Sequence, residues 1–291
     1  MFKESTPNKF LRVENDNPIL TIYRSISGTL NCQDLFSEKK YSFRTNYCNF
    51  PYQENGRIVQ SSVLSVLPEE VSIKDLNLYF KNSRSNTDFY NIINAELIKC
   101  LIATKEEKYL EAFFYLYRVI EGICYSIPLI YVSKNKKYTN TYNQLKSFFS
   151  NNDSGELKFF RKFVELTFRN EDFYQLIIDI DFSSINVGEV RDKYFEIYVE
   201  KLRSNSRPNQ SPEFVEGQNK IEVSFIGFFD LLITIRNRFF HFTQGAGKKN
   251  MRSAEVIYPD YFFKPIIHHG INWVSIIILE LIKFDFENSS R

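Results

Sequence analysis

The sequence predicts an α+β protein that is mainly α. A small β-rich module spans residues 1–80. A helical bundle follows over 81–291, with an insertion at about 133–220. Three observations carry this reading. β-prone runs separated by turn residues fill the first 75 or so positions. From Asn82 onward, apolar residues recur at three- and four-residue steps. A nearly all-apolar segment, Ile221 to Phe240, and a long apolar stretch after Pro259 then complete a bundle.

In chain order, Ile19 to Ile26 reads as a strand closed by Gly28. Tyr41 to Phe50 reads as a second strand. Asn55-Gly56 gives a turn and Arg57 to Leu67 a third strand, closed by Pro68. Ser83, Ser85 or Thr87 caps a helix running to about Thr104. A second helix starts near Lys105 and carries Tyr109, Leu110, Phe113, Phe114, Tyr117, Ile120 and Cys124 on one face; Pro128 kinks or ends it. The tight connection makes the two an antiparallel hairpin. Short helices are expected at Tyr142 to Phe149, Leu157 to Phe168 and Asp192 to Leu202, with a loop from Arg203 to Lys220. Ile221 to Phe240 reads as one buried central helix, with Gly227 in its middle marking close packing. A polar basic loop, Thr243 to Ser253, precedes a final helix from Pro259 or Tyr261 to Phe284.

Composition narrows function. Lys and Arg total 37 against 35 Asp and Glu, a net charge of +2, which excludes a strongly basic, histone-like nucleic-acid binder. Phe (29) and Tyr (18) are abundant and imply an aromatic core. Cys32, Cys48, Cys100 and Cys124 form no C-x-x-C pair, so a finger or ribbon zinc site is not expected. The first residues lack the apolar core of a secretory signal. No stretch reads as an uncharged membrane span, since the best candidates are interrupted by Arg118, Glu121, Glu280 and Lys283. The expectation is a cytoplasmic protein with reduced thiols, no cofactor and no membrane association.

The chemistry-bearing segment is Arg236-Asn237-Arg238-Phe239-Phe240-His241, at the end of the most apolar helix. Its plainest role is structural, the two arginines complementing the negative end of the helix dipole. Helix geometry offers another. Asp230, Thr234, Asn237 and His241 recur at steps of four, three and four, one polar stripe on an apolar helix. On a continued helix Arg236 lies roughly 140° from His241, so the two cannot meet there. Either the chain turns after Phe239, or two copies build the site. A guanidinium that holds a phosphate, with an imidazole that moves a proton, is the pair needed to cut RNA without metal.

Arg236-Asn237-x-x-x-His241 resembles the R-x4-6-H motif of HEPN-superfamily ribonucleases, in which Asn, Asp or His often follows the Arg. With Asn in that place, the pattern arises by chance in about one chain in a hundred of this composition. The order of elements is also similar: a helical hairpin, a buried helix ending in the motif, then a last helix. Tyr115 to Gly122, YLYRVIEG, resembles the second helix of HEPN proteins from bacterial defence loci. The likeness covers about Thr87 to Val132 and Ile221 to Phe284. It implies a metal-independent endoribonuclease, a toxin or abortive-infection effector acting on RNA. Arg236 and His241 would be catalytic and Asn237 supporting. It also implies a homodimer or pseudo-dimer, with a possible antitoxin, sensor or other partner protein. Thr243 stands where some such toxins carry a modified Tyr, so that regulation is not expected. The competing expectation is a non-catalytic scaffold or nucleic-acid-binding subunit of a defence complex.

Around the motif, Arg118 and Glu121 form an ordinary intrahelical pair or else face the motif helix and orient Arg236 or Asn237. Arg238, Lys248, Lys249 and Arg252 are candidate phosphate contacts, or part of a solvated loop. Asp230 is a candidate supporting residue. GAGKKN is not a P-loop, because Lys249 replaces the required Ser or Thr. Asp179 and Asp181 most simply belong to a loop or cap; a metal nuclease built on them is the third reading. His268 and His269 point about 100° apart on a helix, so a structural or surface role is expected rather than a metal pair.

Overall fold

The computed structural model describes residues 2–5, 11, 17–54, 63–64, 67, 69–83, 85–133, 139, 142–143, 146, 156–205, 214–241 and 250–289. The Asn55-Gly56 turn lies outside the described residues. So do most of the Arg57 to Leu67 and Tyr142 to Phe149 runs.

The chain is α+β and mainly helical. Near the start, β1 (Phe2–Glu4), β2 (Asn31–Asp34) and β3 (Lys40–Ser42) form an antiparallel sheet in that order. The expected strand at Ile19 to Ile26 is instead α1 (Pro18–Ile26). Every residue but Thr21 is buried, so hydrophobicity alone shows no period there. The deciding signal is Asn17-Pro18: Asn17 Oδ1 accepts the Ile19 and Leu20 N–H groups, and Pro18 occupies the first turn. Gly28 follows at φ 69°, and a Cβ there would sit 2.6 Å from the Thr45 carbonyl oxygen. The expected second strand stops at Ser42; beyond it the Phe43 and Tyr47 N–H groups donate to the Leu30 and Ile26 carbonyls, and Asn46 forms an isolated bridge with Gln53.

A helix that the periodicity did not reveal, α2 (Ile73–Asn82), begins at a Ser72/Asp75 capping box. The next helix, α3 (Thr87–Lys105), starts after Asn86 in the left-handed region, so none of the three expected caps serves; Ser83 ends α2 instead. A turn over 106–108 returns the N–H groups of Glu106, Glu107 and Lys108 to the Ile102, Thr104 and Ala103 carbonyls. It leads into α4 (Tyr109–Ser133), which passes through Pro128 without ending. These form the expected helical hairpin.

α5 (Glu156–Phe168) and α6 (Gly188–Asn205) bracket the expected positions. The Arg203 to Lys220 loop is shorter than expected, because β5 (Phe214–Gly217) pairs with β6 (Lys220–Ser224). With β4 (Ile177–Asp181) they form an antiparallel sheet in the order β4-β6-β5. The expected single helix from Ile221 therefore divides into β6 and α7 (Phe225–Phe239). The alternation in Lys220–Ser224, with Ile221 and Val223 buried and Glu222 exposed, is the strand signal. Gly227 falls in the first turn of α7 and donates its N–H to Ser224 Oγ.

The last helix, α8 (Pro259–Ser289), runs through the centre. Trp273 stacks on Phe229 at 4.9 Å and on Phe225 at 5.2 Å, and its Nε1 donates to the Phe225 carbonyl at 2.9 Å. Gly270 lets α8 approach α4, since a Cβ there would lie 2.5 Å from Leu116 Cδ2. The aromatic excess is thus largely core. Contrary to the expectation of no span, α4 and α8 are long and apolar enough to cross a membrane by length and composition. Within the fold, 56% and 83% of their apolar windows are buried. The four cysteines are buried free thiols.

Candidate active site

Ser224 caps α7, and the helix then runs through the core on Phe225, Phe228, Phe229, Leu231, Leu232 and Ile235. Its final turn emerges: Arg236, Asn237, Arg238 and Phe239 are all partly exposed. The expected polar stripe is present in Asp230, Thr234 and Asn237, each partly exposed. His241 lies beyond the end of α7 at Phe239; Phe240 keeps right-handed helical φ and ψ, and its N–H makes the helical bond to the Arg236 carbonyl at 2.9 Å.

Arg236 is held on three sides. Its Nη2 donates to Glu121 Oε1 at 2.9 Å, and its Nη1 donates to Asn237 Oδ1 at 3.0 Å. Its Cζ lies 4.6 Å from the centre of the Tyr117 ring. The Arg236 side chain is 25% exposed and that of Glu121 46%, so the cluster sits at the surface of the bundle. Arg118 and Glu121 do not pair with each other. Glu121 faces the motif helix, whereas Arg118 reaches α3 and pairs with Glu96 at 3.0 Å. Tyr117 is the member that motif matching missed. Its place one α-helical turn before Glu121, on the buried edge of that face, was the available signal. Its hydroxyl is buried without a hydrogen-bond partner, and burial pushes the phenol well above its ordinary pKa against the opposing charge of Arg236.

His241 is exposed, and among the described residues it has no hydrogen-bond, ion-pair or ring partner. Phe240, 42% exposed, stacks on Phe113 at 6.1 Å within the chain. Phe239 packs edge-on against Phe263 at 5.0 Å. The loop returns to the motif, because the Met251 N–H donates to the Arg238 carbonyl at 2.9 Å. This places Arg252 beside the end of α7, exposed, with its N–H on Glu255. Phe242, Thr243, Lys248 and Lys249 lie outside the described residues.

Asp230 belongs elsewhere. Its carboxylate accepts from Arg161 Nε at 2.9 and 3.0 Å, and the buried Arg161 also binds Glu165. That ties α7 to α5 rather than supporting Arg236. Asp179 and Asp181 lie on β4, not in a loop or cap. Lys220 Nζ binds Asp179 at 3.1 Å, and the Ser183 N–H donates to Asp181. Among the described residues no group of three His, Cys, Asp or Glu could hold a metal ion.

The two adjacent histidines are packed in the interior of α8. His268 Nδ1 lies 2.8 Å from the Tyr47 hydroxyl, and its ring stacks on Tyr52 at 5.3 Å. Burial, reinforced by His268, pulls His269 down to about 4.

No protein-family profile, curated protein or solved structure matches this chain.

Proposed function

We propose that the chain is a metal-independent endoribonuclease of HEPN type, a cytoplasmic toxin or abortive-infection effector in antiphage defence. The observation that carries the reading is the Arg236 cluster. A guanidinium has five N–H donors, and Glu121 and Asn237 engage two of its nitrogens. Among the described residues nothing else engages the remaining donors, which in this reading go to a phosphate, and the Tyr117 ring fixes the plane of the group. In this reading Arg236 holds the scissile phosphate and stabilises its developing charge. The exposed His241 moves the proton at the ribose 2′-hydroxyl or the leaving oxygen. Asn237 and Glu121 orient the guanidinium, while Arg238 and Arg252 contact flanking phosphates. The bond that forms joins the 2′-oxygen to phosphorus, and the bond that breaks is phosphorus to the 5′-oxygen. A second copy packed at the end of α7 would bring its own His241 to the first copy's Arg236.

The test is cleavage of single-stranded RNA in EDTA by purified protein. The expected products carry 2′,3′-cyclic phosphate or 3′-phosphate ends, and DNA is inert. Activity that vanishes with EDTA and returns with Mg²⁺ would overturn the metal-independent reading, and Asp179→Asn and Asp181→Asn would then test whether those two carboxylates carry it.

One observation favours a second reading, a non-catalytic scaffold that binds nucleic acid or protein. The Arg236–Glu121 pair is also a complete structural contact between α7 and α4. RNA binding without cleavage, at any metal concentration, would decide for it.

A further inference from the structure

A cavity of about 250 Å³ opens between β3, the segment after it, the end of α3 and α8. None of its lining residues belongs to the Arg236 cluster. Two permanent cations, Arg44 and Lys105, stand on its wall with His268, and no carboxylate does. Among the described residues both cations are held only by neutral oxygens. Arg44 donates to the Phe43 carbonyl and to Asn31 Oδ1, and Lys105 Nζ donates to the Ser42 carbonyl at 2.6 Å. Their charge is therefore uncompensated at a concave surface, where the field concentrates.

Two of the groups that would oppose an anion are engaged elsewhere. The carbonyls ending α3 are closed by the 106–108 turn. Glu106, beside Lys105 in sequence, is bound by Lys108, Lys39 and the Tyr41 hydroxyl; these hydrogen bonds pull its carboxyl down to about 2. Glu54 is the carboxylate whose charge reaches His268.

The cavity's own hydroxyls are also committed. Among the described residues, Ser42 donates to Asn31 and Thr104 to the Cys100 carbonyl. The Tyr47 hydroxyl and His268 Nδ1 are engaged with each other at 2.8 Å. Two strong cationic donors remain, in a space just under the usual size for a drug-like ligand. We propose that this cavity binds a small phosphate monoester, with Arg44 and Lys105 clamping the phosphate. The site is independent of the ribonuclease reading.

The test is calorimetric titration of the full chain at low salt with inorganic phosphate, AMP and adenosine. Phosphate and AMP are expected to bind saturably and adenosine not at all. Arg44→Gln and Lys105→Gln should each weaken AMP binding by about tenfold, and Lys105→Arg should retain it. Because Lys105→Gln also loses the tie to Ser42, the Arg44→Gln result decides if that variant melts early. No saturable phosphate binding up to about 10 mM would overturn the proposal. So would adenosine binding as tightly as AMP, or an unchanged affinity in Arg44→Gln.

Discussion

Replacing Tyr117 by Phe and by Leu separates what its ring does from what its hydroxyl does. The hydroxyl is buried and unpartnered, and such a group costs about 1–3 kcal/mol of desolvation. Tyr117→Phe removes that cost and keeps the ring beneath Arg236. At about 2 °C per kcal/mol for a chain of this size, melting should rise by about 2–6 °C. RNA cleavage should stay within about twofold of wild type, because the guanidinium keeps its platform. Tyr117→Leu removes the ring. The ring–guanidinium attraction is worth about 0.5–1 kcal/mol at a partly exposed site, and a smaller side chain adds a packing loss. Melting should fall, and cleavage should drop by about tenfold or more as Arg236 loses its fixed plane. Circular-dichroism melts and a fluorescent-RNA cleavage assay read both quantities. The reasoning fails if Tyr117→Phe melts lower than wild type or loses as much activity as Tyr117→Leu. Either result would make the hydroxyl, not the ring, the working part.

Glu121→Gln removes a pair that is largely exposed, worth about 0–1 kcal/mol, so melting should move by less than about 2 °C. Cleavage should nevertheless fall by about tenfold, and an unchanged rate would remove Glu121 from the site. Stability should decrease as pH falls from about 6.5 toward 4, because His269 is held neutral by burial and the unfolded chain takes up the proton first. The loss is about 3 kcal/mol at full extent. Urea midpoints at pH about 7.5 and 5 measure it, and a flat profile would contradict the burial argument. Phe240→Asp places a charge on a half-exposed ring at the expected two-fold contact. Sedimentation should show a dimer for wild type and a monomer for this variant, and a monomeric wild type with full activity would defeat the shared site.

The helical half was legible because amphipathic helices keep their period even in a buried bundle. α4 and α8 are examples; each carries a continuous apolar face against the core. α1 was not legible from hydrophobicity, since a segment buried nearly all round has no polar phase to reveal its period. The cap at Asn17-Pro18 held the information, as Ser72 and Asp75 did for α2. The division of Ile221 to Phe240 into strand and helix was hidden for the same reason, except for exposed Glu222 and the cap Ser224. At the site, spacing placed Asp230, Thr234 and Asn237 on one stripe. It could not tell that Asp230 serves Arg161 while Glu121 reaches Arg236. Which partner a charged side chain takes depends on how helices cross, and that is a tertiary property. The Tyr117 platform and the Arg44–Lys105 cavity are likewise products of packing between distant segments.

The most direct measurement is cleavage of one labelled RNA in EDTA by wild type, Arg236→Ala and His241→Ala, each checked for its melting temperature. The account predicts that wild type cuts and that both variants fall by at least about a hundredfold. His241→Ala should melt as wild type does, since His241 is exposed and unpartnered among the described residues. Arg236→Ala should melt within a few degrees. If both variants cut RNA at the wild-type rate, or wild type does not cut RNA under any condition, Arg236 and His241 are not a catalytic pair and the end of α7 is a structural contact.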